Sequence, residues 1–302
     1  MHAFLEAHMG EKPALQPKAA IGPALRAIAV AILAEARAVI GDPERSQQKA
    51  VHDFRRAMKQ WRALMRLLEP FVSDATALRQ QARDHARSLS RARDGQSALN
   101  AFDDLMRKTV ALSERSGATI RARIETIRGS EEESVLTQEL RETIFAWLDM
   151  AMEAVEQWPL DPFDFSSIAT QLAVGYREAR RRIPEDWSQA TAKDLHEPRQ
   201  RVVEHRYQME LVEPLWPRHG RMWTKEAERL RDRLGRCQDL EILKRLSGPH
   251  QPLAHWRSRL APACAERTGA LAHRAARIAS RLFAEKPKAF RRRLETLWEH
   301  GR

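Results

Sequence analysis

The sequence predicts an all-α fold, and three observations carry that prediction. Apolar residues recur at three- and four-residue spacing along almost the whole chain, and clusters of β-branched residues bounded by Asn-Gly or Asp-Gly turns are missing. Glycine is sparse, with 12 in 302 residues. The composition, 43% hydrophobic and 31% charged, is typical of a globular protein. The longest uncharged apolar run, residues 27–34, is too short to cross a bilayer, so we expect no membrane partner.

Helix-ending signals divide the chain into ten predicted helices. Residues 41–43 (Gly-Asp-Pro) end the first, Pro70 follows the second, Pro159 and Pro162 mark a central linker, and residues 247–249 (Ser-Gly-Pro) end the eighth. We predict helices over residues 20–40, 44–69, 74–93, 97–128 with a break near Gly117, 133–157, 165–182, 190–213, 219–246, 252–284 and 287–300.

Three segments of the first half recur in the same order in the second half. A nearly constant offset between such segments indicates an internal duplication. We therefore predict one domain made of two pseudo-twofold-related helical bundles, over about residues 19–157 and 164–302, preceded by a loose tail of residues 1–18. The matching segments are 35–40 with 178–183, 51–55 with 195–199, and 91–94 with 236–239, at offsets of 143, 144 and 145 residues.

The charge of the chain indicates an anionic partner. Lys and Arg number 52 against 41 Asp and Glu, which leaves a formal net charge of +11. Of these cations 42 are Arg, whose planar guanidinium can bind a phosphate through two parallel hydrogen bonds. These numbers favour a phosphate-rich ligand, although an Arg-rich composition alone also fits helices that are made soluble by charge. The positions of the cations in the sequence have to distinguish these two interpretations.

The second predicted helix concentrates its cations on one face. They lie at i, i+3, i+7, i+10 and i+14, and at about 100° per residue they fall within an arc of roughly 80°. No acidic residue joins them before Glu69, whereas a solvated face ordinarily carries Glu at i±4 to offset like-charge repulsion. The first basic stripe is His52, Arg55, Lys59, Arg62 and Arg66, and the opposite, apolar face is Phe54, Met58, Trp61, Met65 and Leu68.

The matching helix of the second half carries a weaker stripe, because Val203 and Glu210 replace two of the five cations. The remaining second-stripe residues are His196, Arg199 and Arg206. Further candidates for the same basic surface are Arg37, Arg56, Arg91, Arg177, Arg180, Arg181 and Arg236. By contrast, Arg79, Arg83 and Arg87 lack basic counterparts in the second half and are interpreted as ordinary surface charge.

These motifs resemble those of the CHAD family, the conserved histidine α-helical domain. The likeness rests on VHDFRR through Arg62, on LHEPR through Arg206, and on Arg-x-x-Asp at 91–94 and 236–239, and it extends over about residues 20–300. The resemblance implies two pseudo-symmetric helical bundles with a basic surface that binds inorganic polyphosphate, often at polyphosphate granules. It assigns that binding to the two stripes. Because the N-terminus shows no secretory signal pattern, we expect a cytoplasmic location.

The sequence shows none of the motifs of the common phosphate-transfer enzymes. His196 and Glu197 do not continue as H-E-x-x-H, and no G-x-x-x-x-G-K-[ST] loop, G-x-G-x-x-G turn or G-x-S-x-G elbow is present. The first stripe also holds no carboxylates that could bind a metal for phosphoryl transfer. We therefore predict a binding protein with no catalytic residues, no metal and no cofactor.

Nucleic acid is the alternative polyanion, since a charge of +11 would serve either polymer. Proteins that bind single strands place aromatic side chains among their cations, but this chain is only 6% aromatic and Trp61 falls on the apolar side of its helix. No helix shows the base-contacting pattern of a helix-turn-helix reader. We predict polyphosphate as the partner, with an affinity that rises as the pH falls from about 8 to 6, because protonated imidazoles attract a polyanion.

Overall fold

The computed structural model describes residues 14–89, 94–108, 113–132 and 136–301. These residues contain eleven α-helices and no strand. The predicted all-α class is confirmed. No helix within these residues is long and apolar enough to span a bilayer. The helices are α1 (Ile21–Gly41), α2 (Gln47–Leu68), α3 (Ala75–Ser88), α4 (Asp94–Lys108), α5 (Glu114–Glu132), α6 (Gln138–Glu156), α7 (Phe165–Arg182), α8 (Ala192–Leu211), α9 (Pro217–Leu246), α10 (Arg257–Leu282) and α11 (Pro287–His300), with 3₁₀ turns at Glu213–Leu215 and Ala254–Trp256.

Helix boundaries differ from the sequence prediction mainly in the first half. The helix predicted over 74–93 ends at Ser88, and the segment 97–128, predicted with a break near Gly117, forms the two helices α4 and α5. Gly117 does not break a helix but lies inside α5, where the Met106 methyl is 3.3 Å from the position that a Cβ would occupy. That glycine therefore lets α5 approach α4 closely. The helix predicted to begin at residue 252 begins at Arg257, after a 3₁₀ turn.

The chain joins the core earlier than residue 19. Leu15 is fully buried, and its amide donates a 2.7 Å hydrogen bond to the Leu211 carbonyl at the end of α8. The predicted loose tail of residues 1–18 is therefore wrong at its C-terminal end, because an apolar side chain and a backbone hydrogen bond hold residue 15 in place. Residues 1–13 lie outside the described part of the chain.

The helices α2 and α8 pack against each other and join the two halves of the chain. Each also packs against the helix before it, α1 or α7, and the helix after it, α3 or α9. Two further pairs of contacts correspond between the halves. The contact of α6 with α1 matches that of α11 with α7, and the contact of α4 with α5 matches that of α9 with α10. The order of contacts therefore repeats, as a duplication would produce, and the duplication itself stays a prediction.

A capping box sets the beginning of α8. The Thr191 hydroxyl accepts from the Asp194 amide, while the Asp194 carboxylate accepts from the Thr191 amide at 2.9 Å. Such a reciprocal pair satisfies two backbone donors that a helix start otherwise leaves free. It therefore fixes the first turns of α8, which carry His196.

The apolar face of α2 is the centre of the first half. All five of its predicted residues, Phe54 through Leu68, are fully buried. The Trp61 ring lies edge-on to Trp147, with centroids 6.4 Å apart, and 5.9 Å from the ring of Trp158. Burying each such side chain stabilises the fold by roughly 1.5–3 kcal/mol. This burial fixes the rotation of α2 about its axis and directs its cations away from the core.

A buried ion pair ties the first half to the second. Arg267 of α10 donates from Nε and an Nη to the two carboxylate oxygens of Asp104 in α4, at 2.7 and 3.1 Å, and both residues are 6% exposed. Burial alone would raise the pKa of the Asp104 carboxyl, but the hydrogen bond and charge of Arg267, together with Arg236 and Arg107, lower it overall. Asp104 therefore stays ionised in the folded protein.

Replacing Arg267 with Met should lower the free energy of unfolding by about 3 kcal/mol, because it leaves a buried carboxylate without its main partner. The double variant Arg267→Met, Asp104→Leu should lose clearly less, since no buried charge remains. Urea denaturation measures both, with Arg277→Met, an exposed change on α10, as the control. Equal losses in the single and double variants would contradict this account of the pair.

The second half has an aromatic core around a buried histidine. His205 of α8 is 1% exposed, and the Trp223 indole N–H donates to its Nε2 at 2.9 Å. Burial, and then the charge of Arg293, lowers the pKa of His205 to about 3, so the ring is neutral. Four rings lie with their centroids 5.4–6.1 Å from that of His205, namely those of Tyr176, Trp223, Phe283 and Phe290.

The neutral state of His205 should make folding sensitive to acid. An unfolded imidazole has a pKa near 6.5, so below that pH the unfolded chain binds a proton that the folded protein does not. The free energy of unfolding should then fall by ~1.4 kcal/mol for each pH unit between about 6 and 3. Urea-denaturation midpoints of the wild type and of His205→Gln from pH 7.5 to 5 test this. We expect a shallower slope in the variant, and parallel slopes would refute the assignment.

Candidate anion-binding surface

The basic stripe of α2 lies on the side of the helix away from the core. His52 is exposed, and the other four stripe residues are partly buried. From His52 to Arg66 the stripe extends about 21 Å along the axis. His196 at the start of α8 is also exposed. Neither histidine turns into the apolar interior.

Arg62 lies where α2 meets α3 and α8. Burial lowers the pKa of its guanidinium, Glu204 of α8 opposes that shift, and the charges of Arg83 and Arg79 of α3 lower the pKa further. Two cations of a neighbouring helix are therefore close enough to repel Arg62. Sequence reasoning interpreted Arg79 and Arg83 as ordinary surface charge, but the fold places them beside the stripe.

A carboxylate partly balances the C-terminal end of this group. Glu69 accepts a 2.6 Å hydrogen bond from Arg79, and its other oxygen is 3.5 Å from Arg66. Arg83 has no ion pair with any acidic side chain in the described ranges. Arg83 therefore adds positive charge near Arg62 that no ion pair among the described residues offsets. We call the stripe together with Arg79 and Arg83 the α2–α3 basic surface.

The equivalent place in the second half holds ion pairs instead. Arg206 of α8 stands where Arg62 stands in α2, and it lies 2.9 Å from Glu210 and 3.5 Å from Glu228 of α9. Glu228 follows Arg83 at the repeat offset of 145 residues. The first half thus has a second cation within electrostatic range of Arg62, whereas the second half has a carboxylate 3.5 Å from Arg206.

The second stripe faces α9. The His196 ring lies between two glutamine side chains, with Nε2 2.7 Å from the Gln200 amide nitrogen and Nδ1 against Gln238 of α9. One turn further on, the Arg199 Nε is 3.6 Å from the position that a Cβ would occupy at Gly235. These contacts hold the side chains of the second stripe against the neighbouring helix.

Arg236 belongs to a different group of cations, on α9 and α10. Burial lowers the pKa of the Arg233 guanidinium, and the charges of Arg236, Arg274 and Arg267 lower it further against the opposing charge of Asp232. The Arg233 Nε is buried without a hydrogen-bond partner among the described residues. This group surrounds the ion pair that joins α4 to α10.

Several other predicted site residues bind acidic or carbonyl groups on other helices. Arg37 pairs with Asp149 of α6 and lies 5.1 Å from the centre of the Phe145 ring. Arg56 donates to Glu35 of α1 at 2.6 Å. The structure therefore does not bring Arg37 or Arg56 onto the basic stripe of α2. Each of these arginines faces a neighbouring helix and pairs with a carboxylate on it.

The predicted site residues of α7 also have partners outside the stripe. The Arg180 Nε donates to the Phe283 carbonyl at 3.0 Å, which joins α7 to the end of α10. Arg177 and Arg181 flank Glu178 at 4.0 and 3.9 Å. Arg91 lies outside the described residues.

No three His, Cys, Asp or Glu side chains are grouped closely enough to hold a metal ion within the described ranges. The carboxylates next to the stripe, Glu69 and Glu204, lie within 3.0 Å of Arg79 and Arg201, respectively. Each carboxylate next to the stripe therefore already has a cationic partner.

The fold is all-helical, and cationic side chains are grouped on the surface of α2 and α3. The family model described as the CHAD domain matches residues 23–247, so the chain belongs to the CHAD family. The helices α10 and α11 follow the matched range. No curated protein matches the chain in sequence.

Two solved structures share the fold. The crystal structure of the CHAD domain from the plant Ricinus communis is 20% identical, with a TM-score of 0.53, over 97% of this chain and 96% of that one. The structure of PptA from Streptomyces chartreusis is 15% identical, with a TM-score of 0.58, over 93% of this chain and all of that one. At these identities the likeness concerns the fold alone.

Repulsion around Arg62 should make the substitution Arg83→Glu stabilising in the absence of a ligand. The new carboxylate would face Arg62 as Glu228 faces Arg206, and we expect the free energy of unfolding to rise by about 0.5–1 kcal/mol at low salt. The gain should vanish near 1 M salt, where charges are screened. Urea denaturation at the two salt concentrations measures it. Arg292→Glu, an exposed change on α11, is the control and should give no such gain.

Proposed function

We propose that this CHAD-family protein binds inorganic polyphosphate along the α2–α3 basic surface. The observation that carries the proposal is the placement of Arg83 beside Arg62, at the position where the second half has Glu228 beside Arg206. Cations held near one another in a folded protein repel, and an anion between them converts that repulsion into attraction. The family and the length of the stripe support a chain-like anion over a single phosphate.

Binding would proceed by charge neutralisation without a chemical step. Arg side chains donate paired hydrogen bonds to phosphate oxygens, and each neutralised phosphate releases condensed counterions. Affinity should therefore rise with chain length until the surface is filled, and should fall steeply with added salt. The same property would attach the protein to polyphosphate granules.

Nucleic acid fits this surface less well. Trp61 is fully buried and Tyr207 is nearly so, with Arg206 stacked 5.0 Å from the Tyr207 ring. Neither ring can serve as a platform for bases, and stacking is a large part of the affinity of proteins for single strands. The phosphate backbone alone would have to supply the binding energy.

The two halves should contribute unequally to polyphosphate affinity. We expect Arg55→Ala with Arg62→Ala to weaken binding about tenfold or more, and Arg199→Ala with Arg206→Ala to weaken it less than about threefold, because Glu210 and Glu228 already balance Arg206. Fluorescence anisotropy with labelled long-chain polyphosphate measures both.

The matched control is Arg37→Ala with Arg180→Ala, which removes the same net charge from residues bound elsewhere. It should leave the affinity close to that of the wild type. If all three double variants lose affinity equally, net charge rather than the α2–α3 basic surface governs binding.

A competition assay separates the two polyanions. At physiological salt, unlabelled polyphosphate should displace labelled polyphosphate from the full-length protein at a phosphate concentration at least about tenfold lower than duplex or single-stranded DNA. Equal displacement at equal phosphate concentration would overturn the assignment of polyphosphate and make the protein a general polyanion binder.

A further inference from the structure

A cavity of about 100 Å³ lies where α7 and α8 meet the C-terminal end of α2. Two buried α8 side chains line it, His205 at 1% exposed and Gln208 at 2%, and Val174 and Gly175 of α7 line it on the other side. Gly175 is required there, because a Cβ would approach the Gln208 Oε1 to 2.6 Å. The fold thus keeps space beside two polar groups that it withdraws from solvent.

Each of these polar groups has a fixed hydrogen-bonding role. The Trp223 indole can only donate, and it donates to the His205 Nε2 at 2.9 Å, so the neutral ring carries its proton on Nδ1. The Ala63 carbonyl can only accept, and it accepts from the Gln208 Nε2 at 3.2 Å, so Oε1 is the free end of the amide. His205 and Gln208 therefore present one donor and one acceptor that cannot exchange roles.

Both atoms are unsatisfied. The His205 Nδ1 and the Gln208 Oε1 are buried and have no hydrogen-bond partner within the described part of the chain. Buried polar atoms are almost always paired, and an unpaired one is costly enough to need an explanation. Because the two residues are three positions apart on one helix, they lie on the same face and can be satisfied by one molecule.

Each charged side chain that lines the cavity has a partner of opposite charge, and for Glu178 the partners are Arg177 and Arg181 at 4.0 and 3.9 Å. Arg201 pairs with Glu204 at 2.9 Å, and Arg66 lies 3.5 Å from Glu69. A fully ionised phosphate group, such as one inside a polyphosphate chain, offers only acceptors and would meet the Gln208 Oε1, which is also an acceptor. The cavity is therefore chemically different from the α2–α3 basic surface, although Arg66 borders both.

We propose that this cavity binds a small neutral molecule that carries a hydrogen-bond donor and acceptor side by side, of the primary carboxamide or urea class. Such a group accepts from the His205 Nδ1 and donates to the Gln208 Oε1. One water needs about 10–15 Å³ of such space, so the cavity has room for a ligand of several non-hydrogen atoms. The site does not depend on polyphosphate binding.

Acetamide is the probe, and acetate and methylammonium are its matched analogues with acceptors only and donors only. The ring ¹⁵N signals of His205 and the indole signal of Trp223 in the full-length protein report binding. We expect saturable shifts with acetamide, and at least about tenfold weaker binding of both analogues, because each leaves one buried group unpaired. Shifts that do not saturate, or that are the same for all three solutes, would mean that water alone fills the cavity and would overturn the proposal.

The substitution Val174→Phe fills the cavity from the α7 side and should abolish the acetamide shifts, while Val203→Phe, on α8 but outside the cavity lining, should retain them. Retained acetamide binding in Val174→Phe would also refute the site. Because the comparison of solutes needs no variant, the proposal stays testable if Val174→Phe does not fold. Polyphosphate affinity measured on the same variant should be unchanged, so failure of one proposal does not affect the other.

Discussion

The rotation of α2 about its own axis decides which side chains can reach a ligand. Five large apolar side chains on one side of this helix are fully buried, with Trp61 between Trp147 and Trp158. Turning the helix would expose these rings and bury its cations, and both changes are costly. The basic stripe therefore owes its position to the core beneath it. The contact of α2 with α8 then brings the corresponding helices of the two halves together.

Charge balance differs between two halves that share one order of helix contacts. Around Arg206 the second half supplies Glu210 and Glu228, whereas around Arg62 the first half supplies Arg83 and Arg79. A protein selected for stability alone would favour the arrangement around Arg206, in which carboxylates face the cation. The proposed binding site depends on this difference, because an anion would supply the negative charge that the first half lacks around Arg62.

Periodicity predicted most of the fold, since the apolar spacing of α2 and the proline and glycine signals depend on residues that are close in sequence. It predicted a break between α4 and α5 but placed it near Gly117, which lies inside α5 and whose role depends on Met106 of the neighbouring helix. The docking of Leu15 on Leu211 was missed, because that contact joins residues almost 200 positions apart. In the site, the stripe was predictable from one helix, but the partners of Arg37 and Arg56 and the approach of Arg83 to Arg62 come from packing between helices. The one sequence signal for the role of Arg83 was that the matching position in the second half, residue 228, holds Glu and no cation.

The most direct test of the central claim is the polyphosphate affinity of Arg83→Glu against that of Arg292→Glu at one fixed salt concentration. Both substitutions lower the net charge by two, but only the first places a carboxylate beside Arg62. We predict that Arg83→Glu weakens binding about tenfold or more and that Arg292→Glu stays close to the wild type. Equal affinities in the two variants would contradict the account, because binding would then follow total charge and not the surface between α2 and α3.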